Sequence, residues 1–168
     1  MTAQLVRGAN APLRGASRQP VPRVIVEVSW EASSPIQDVV LLAVACDARG
    51  QALSPTHQST FRSPTTVGTA SHFELLMDLL AVPEDCLHVA FALSTDGSSV
   101  RDLDALTVTV RTEQGEELAR YLAEDIPDWP GLIVAEIYRR SDQWKVRAIG
   151  QGLSEGHSGL LRSFALVA

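Results

Sequence analysis

The sequence predicts an all-β fold, a two-sheet β-sandwich followed by a short C-terminal helix. Apolar and polar residues alternate over several short segments, which is typical of strands buried on one face. Turn-forming residues separate these segments at intervals of about 8–15 residues, and helical periodicity is nearly absent before the last segment. One apolar run, residues 39–46, has no polar face. These features favour two sheets that bury one common core.

The first alternating segment covers residues 24–30. Its apolar positions are Val24, Val26, Val28 and Trp30. Because polar side chains occupy the positions between them, we expect a strand with one buried face. The apolar run at 39–46 ends in the turn-forming sequence 47–50. It predicts a strand that is covered on both faces and lies inside a sheet.

Three further segments predict strands. Residues 73–79 alternate, although Leu76 and Leu80 would also suit one face of a helix, and we interpret this segment as a strand. Residues 87–93 and 106–110 repeat the alternation of the first segment. We expect each of the three to bury one face only.

Two hairpins are predicted in the C-terminal half. The turn-forming sequence 113–116 is followed by a short returning strand at 118–122. Segments 132–138 and 144–149 flank a second, polar tip at 139–143. Both pairs are therefore expected to be antiparallel neighbours.

A helix is predicted at the end of the chain, over residues 158–166. Leu160, Leu161 and Phe164 have helical spacing. Ser158 precedes them and is a residue type that commonly caps a helix N-terminus. We therefore expect the helix to begin at this serine.

The 168 residues are enough for one domain. Hydrophobic residues make up 45% of the chain and charged residues 20%, a composition that supports a folded core. We interpret residues 23–168 as a single sandwich domain and residues 1–22 as an N-terminal arm that belongs to it.

The charge and hydropathy of the chain exclude several classes of protein. A net charge of −6 argues against nucleic-acid binding, which requires a surplus of lysine and arginine. The longest apolar run has eight residues, so no segment is expected to insert directly into a membrane. Residues 1–22 lack the apolar core of a signal peptide, and Cys46 and Cys86 show no metal-binding or disulfide spacing. We expect a cytoplasmic protein with two reduced cysteines.

No catalytic arrangement is recognisable in the sequence. The four histidines, at positions 57, 72, 88 and 157, show none of the usual catalytic or metal-binding spacings. His72 and Glu74 are expected to share a strand face, but such a pair also arises by chance. There is no glycine-rich loop between a strand and a helix that would hold a nucleotide. We therefore expect a protein that is not an enzyme and has no cofactor.

The most specific sequence lies in the C-terminal third. It comprises GEELARY at 115–121, EIYRR at 136–140 and WKVRAIGQG at 144–152. In these stretches the chain resembles the TerD family of tellurium-resistance and stress proteins. LVRGANAPL at 5–13 is similar to the opening L-x-K-G-x-N-x-x-L of that family. The resemblance spans nearly the whole chain and implies a β-sandwich, in agreement with the periodicity.

The resemblance also implies a calcium site, from which this sequence departs. Ile36, Asp38 and Val40 stand where the family has three aspartates, so only Asp38 retains a carboxylate. Residues 65–71 replace the acidic loop of the family and contain no Asp or Glu. Because calcium requires six to eight oxygen ligands, several of them carboxylates, we expect a calcium-independent member. The alternative is a calcium-binding protein that uses the acidic region 96–128 together with Asp38.

Two surfaces of opposite charge are candidates for interaction. Residues 96–128 contain nine acids and three bases, which is either a docking face or ordinary solvated surface. The predicted second hairpin carries the basic residues Arg139, Arg140, Lys145 and Arg147. Trp129 lies in a loop, where it is either an interface anchor or a lid over one end of the sandwich. The expected partners are other TerD-like or Ter-system proteins, or further copies of this chain in a homo-oligomer.

The role implied by these observations is a non-catalytic binding or assembly subunit of a tellurite-resistance or general stress-response system.

Overall fold

The computed structural model describes residues 2–32, 38–54, 58–95 and 97–166 and contains twelve strands in two sheets. The strands are β1 (Ala3–Leu5), β2 (Asn10–Pro12), β3 (Arg23–Glu31), β4 (Val40–Cys46), β5 (Gln58–Phe61), β6 (Thr65–Val67), β7 (Ala70–Asp78), β8 (His88–Ser94), β9 (Asp104–Thr112), β10 (Glu117–Leu122), β11 (Gly131–Arg140) and β12 (Gln143–Leu153). The single α-helix among the described residues is α1 (Gly156–Ser163). The predicted two-sheet β-sandwich with a short C-terminal helix is confirmed.

The two sheets have six strands each. The first sheet has the order β1-β10-β9-β3-β7-β6, and the second has the order β2-β12-β11-β8-β4-β5. Neighbouring strands are antiparallel except β1 and β10, which pair in parallel. The N-terminal arm contributes β1 to one sheet and β2 to the other, so it contacts both halves of the sandwich.

The main core lies between the sheets and follows the predicted alternation. In β3 the side chains of Val24, Val26 and Val28 are fully buried, while the residues between them are partly exposed. β4 is buried on both faces, as the continuous apolar run predicts. Its second face packs with Leu160 and Phe164 of the C-terminal region in a smaller cluster. The segment at 73–79 is a strand, with Leu76 on the exposed face.

Three details of the predicted elements are wrong. β8 is not half-buried: residues 90–94 are all buried, because α1 covers the outer side of this strand. The tip of the second hairpin is Ser141 and Asp142 alone, both with positive φ, as a tight two-residue turn requires. α1 begins at Gly156, and the hydroxyl of Ser158 donates to the carbonyl of Glu155 instead of capping the helix.

Among the described residues, no helix is long and apolar enough to span a membrane.

Candidate functional site

A cleft of about 870 Å³ lies at one end of the sandwich. It is bordered by the segment before β4, the residues after β5 and β8, the end of β12 and the first residues of α1. Its polar lining includes Asp38, Arg62, Ser94, Ser154, Glu155 and His157. Because these residues come from four separate segments of the chain, the strand order of the second sheet is what brings them together.

Backbone hydrogen bonds fix the wall of the cleft that follows β8. The amide of Thr95 donates to the carbonyl of Pro130 at 2.8 Å, and the Thr95 hydroxyl donates to the carbonyl of Ser98 at 2.7 Å. Next to this turn, Ser99 and Asp102 form a reciprocal capping box around a 3₁₀ turn at Val100–Asp102. These hydrogen bonds therefore hold this wall of the cleft in place.

Arg62 and His157 line the cleft together with the carboxylates of Asp38 and Glu155. Burial lowers the pKa of His157, and the charge of the nearby Arg62 lowers it further. The Nδ1 atom of His157 is buried and has no hydrogen-bond partner among the described residues. Of the two described acids that line the cleft, Glu155 forms an ion pair with Arg162, whereas Asp38 is exposed. Within the described part of the chain, the cleft therefore combines one carboxylate without an ion pair with a guanidinium and an imidazole.

The positions that the resemblance aligns with calcium ligands of the family do not all lie at the cleft. Asp38 and Val40 both line the cleft. Ile36 lies outside the described residues. The segment at 65–71 forms the tight β6–β7 hairpin, in which Gly68 takes a positive φ, and it does not line the cleft.

Arg62 and His157 were missed by the sequence reasoning. They are 95 positions apart, one in the connection after β5 and the other in α1, and neither lies in a recognisable motif. Only the folded position of α1 against the second sheet places them at the same cleft.

Two of the four basic residues of the second hairpin, Arg139 and Arg147, contact aromatic rings and oxygen atoms of the protein itself. The guanidinium of Arg139 lies 4.5 Å from the ring centroid of Trp144 and donates to the carbonyl of Glu84 at 3.3 Å. Arg147 stacks on Tyr138 at 4.4 Å and bonds to the carboxylate of Glu136 at 3.1 Å. Within the described ranges, Arg140 and Lys145 form no ion pair.

The acidic region 96–128 is also partly neutralised. Asp96 lies outside the described residues. Glu113 bonds to Arg23 at 2.7 Å, and the carboxylate of Glu117 receives two hydrogen bonds from Arg120, which hold the pKa of Glu117 below its ordinary value. The acids of this region that the structure leaves exposed without an ion pair, counting described residues only, are Asp102, Asp104, Glu124, Asp125 and Asp128. They form the free part of the acidic surface.

Trp129 is partly packed and partly exposed. Its backbone carbonyl accepts a hydrogen bond from the amide of Val100 at 2.8 Å, and its ring packs closely over Gly152. The side chain nevertheless keeps 46% of its surface exposed. It therefore covers an end of the sandwich and also presents an aromatic surface to solvent.

The two cysteines are unpaired and buried. Burial, followed by the nearby Cys86 and Asp47, raises the pKa of Cys46 to about 12. Burial also raises the pKa of Cys86. A thiol that stays protonated is a poor nucleophile and a poor metal ligand.

Comparison with known proteins agrees with this architecture. The chain is 31% identical to chemical-damaging agent resistance protein B of Clostridium acetobutylicum over 55% of this chain and 72% of the relative. It is 26% identical to tellurium resistance protein TerD of Serratia marcescens over the full length of both. General stress protein 16U of Bacillus subtilis is 29% identical over 61% of this chain and 56% of its own.

A solved crystal structure of a protein of unknown function shares the fold, with a TM-score of 0.64 at 15% identity, covering 89% of this chain and 99% of that protein. The sequence profile described as the TerD domain matches residues 1–164. The chain therefore belongs to the TerD domain family.

Proposed function

We propose that this protein is a non-catalytic, calcium-independent binding or assembly subunit of a tellurium-resistance or general stress-response system in the cytoplasm. The relatives named for tellurium resistance and general stress support the system. The observation that carries the calcium-independent role is the cleft at Asp38, where, among the described residues, Arg62 and His157 lie at the same cleft as one carboxylate that has no ion pair.

The chemistry of the cleft favours polar or anionic groups over calcium. Calcium takes six to eight oxygen ligands, and tight protein sites supply several carboxylates. Here Glu155 already pairs with Arg162, and the guanidinium of Arg62 would repel a divalent cation bound at Asp38. Valine at position 40 offers no side-chain ligand.

Calorimetric titration with calcium tests this part of the proposal. We expect no saturable heat up to millimolar calcium and the same melting temperature in calcium and in EDTA. The Asp38→Asn variant is the matched control and should give the same traces. Saturable binding that this variant removes would refute calcium independence and support the alternative, a calcium-binding protein that uses Asp38 with the acidic region.

Assembly through opposite charge is supported by the two surfaces. Arg140 and Lys145 are the basic hairpin residues free of internal ion pairs among the described residues, and they would face the exposed acids between 102 and 128 on a neighbouring domain. Several charges must act together, because one exposed ion pair contributes only about 0–1 kcal/mol. The proposed partner is another TerD-like or Ter-system protein, or a second copy of this chain.

A double charge reversal tests the assembly. Arg140→Glu with Lys145→Glu should weaken association in sedimentation velocity at low salt, both alone and with companion Ter proteins. Arg14→Glu with Arg49→Glu makes the same change of charge elsewhere and should leave association intact. Association that resists both the hairpin reversal and high salt would exclude a charged interface and favour the apolar surface of Trp129.

The non-catalytic role is supported by the surroundings of the half-buried histidines. His88 lies 4.0 Å from Glu136, and His72 lies beside Glu27 and Glu74. Neither imidazole has a hydrogen bond to a hydroxyl or thiol side chain within the described residues, as a nucleophilic mechanism would require.

A further inference from the structure

The outer face of the first sheet carries a cluster of three potential metal ligands. Glu27 of β3 and Glu74 of β7 are direct cross-strand partners, and His72 lies two positions before Glu74 on the same face. One ligand atom from each of the three residues lies within 4.8 Å of the others. The cluster lies on the first sheet, whereas the cleft is bordered by strands of the second sheet. The two sites are therefore separate.

The pairing of two glutamates needs an explanation, because like charges directly opposite each other destabilise a sheet. Arg111 of β9 supplies part of it. Its Nη1 atom lies 3.4 Å from Oε2 of Glu27, and its Nη2 atom lies 2.8 Å from Oε2 of Glu74. Two carboxylates against one guanidinium leave the cluster with a net negative charge.

His72 gives the cluster its chemical character. It is half-buried, and its imidazole has no hydrogen bond or ion pair with another residue in the described part of the chain. One imidazole with two carboxylates is a ligand set for divalent transition metals such as zinc, whereas calcium takes oxygen ligands only. A hydrogen-bond donor to a ligand carboxylate, here Arg111, holds that carboxylate in one orientation.

From this geometry we propose that Glu27, His72 and Glu74 form a binding site for one divalent transition-metal ion, for which zinc is the test ion. Three protein ligands on paired strands leave one or more coordination positions open to water. The inference goes beyond the calcium-independent role proposed for the cleft and does not depend on it.

Calorimetric titration of the full chain with zinc, without a histidine tag, tests the site. We expect one zinc ion per chain, with affinity reduced about tenfold or more in His72→Ala and in Glu27→Gln. His88→Ala is the matched control, because His88 is also a half-buried strand histidine beside a glutamate but, among the described residues, lies within ion-pair distance of one carboxylate and not two. This variant should bind zinc as the unmodified protein does.

Three outcomes would overturn the proposal: no zinc binding up to millimolar concentration, unchanged binding in His72→Ala, or loss of binding in His88→Ala. Thermal unfolding of each variant without metal confirms that it is folded, and His72→Gln replaces the alanine variant if that one is not. A calcium titration of the same samples keeps the two proposals apart. Calcium binding lost in Asp38→Asn would refute the proposal for the cleft and leave the zinc site standing.

Discussion

Two adjacent leucines after β7 provide a stringent test of the core. Leu79 is 4% exposed and belongs to the main core, whereas Leu80 is 81% exposed. Their backbone amides are both bonded, Leu79 to the carbonyl of Pro22 and Leu80 to the carboxylate of Asp78. Truncation to alanine leaves those bonds in place, so the two variants differ only in the burial of the side chain that is removed.

The expected costs follow from that difference. Leu79→Ala removes three buried carbon atoms and leaves a cavity between the sheets, which costs about 2–5 kcal/mol. In a protein of this size, that loss lowers the melting temperature by about 4–20 °C. Leu80→Ala removes surface that is already in water, so the change should stay within about 0.5 kcal/mol.

Urea unfolding followed by tryptophan fluorescence measures both values. We expect a lower midpoint with an unchanged m-value for Leu79→Ala, and a curve that matches the unmodified protein for Leu80→Ala. Equal costs for the two variants would contradict the assigned inward and outward positions at the end of β7. A larger cost for Leu80→Ala than for Leu79→Ala would mean that the side chain of Leu80, and not that of Leu79, lies in the core.

Three further predictions concern pH, thiols and the second hairpin. Burial lowers the pKa of His157 in the folded state, so acid protonates the unfolded chain first, and the free energy of unfolding should fall as the pH is lowered through the ordinary histidine pKa of about 6.5. Denaturant unfolding should show a smaller fall for His157→Asn, and an equal fall would contradict the assignment. Cys46 and Cys86 should resist a thiol reagent in the native protein and react fully in urea, and rapid native labelling of either would refute their burial. Ser141→Asn with Asp142→Gly should raise the free energy of unfolding by about 1 kcal/mol in urea, because both positions have positive φ; a loss of stability would refute the tight-turn assignment.

The strands that were predicted well are those in which each face has the same surroundings along the whole strand. In β3, one face meets the core and the other meets water, and the alternation records that difference directly. The prediction for β8 was wrong because its outward residues, Ala90 and Ala92, are small, and alanine is common at both buried and exposed positions. The helix that covers them lies about 70 residues later, where no local pattern refers to β8.

Site residues were predictable only where they share one segment. The sequence placed His72 and Glu74 on one strand face, and the register of β7 confirms it. Glu27 joins them from β3 through strand pairing, which a single sequence does not reveal. In the same way, Arg62 and His157 meet through sheet order and the docking of α1, although each segment alone is unremarkable.

The change at position 40 shows how the cleft and the core are connected. Val40 stands where the resemblance places an aspartate of the family, yet it is only 5% exposed and pairs with the buried Ser94 of β8. Burying a valine side chain contributes about 1.5 kcal/mol or more, whereas a carboxylate here without a cation would be a buried, unpaired charge. Val40 therefore places a buried apolar side chain in the wall of the cleft. A valine at this position offers no side-chain ligand and is buried without needing a cation, so the proposed calcium independence and the packing of this strand depend on the same side chain.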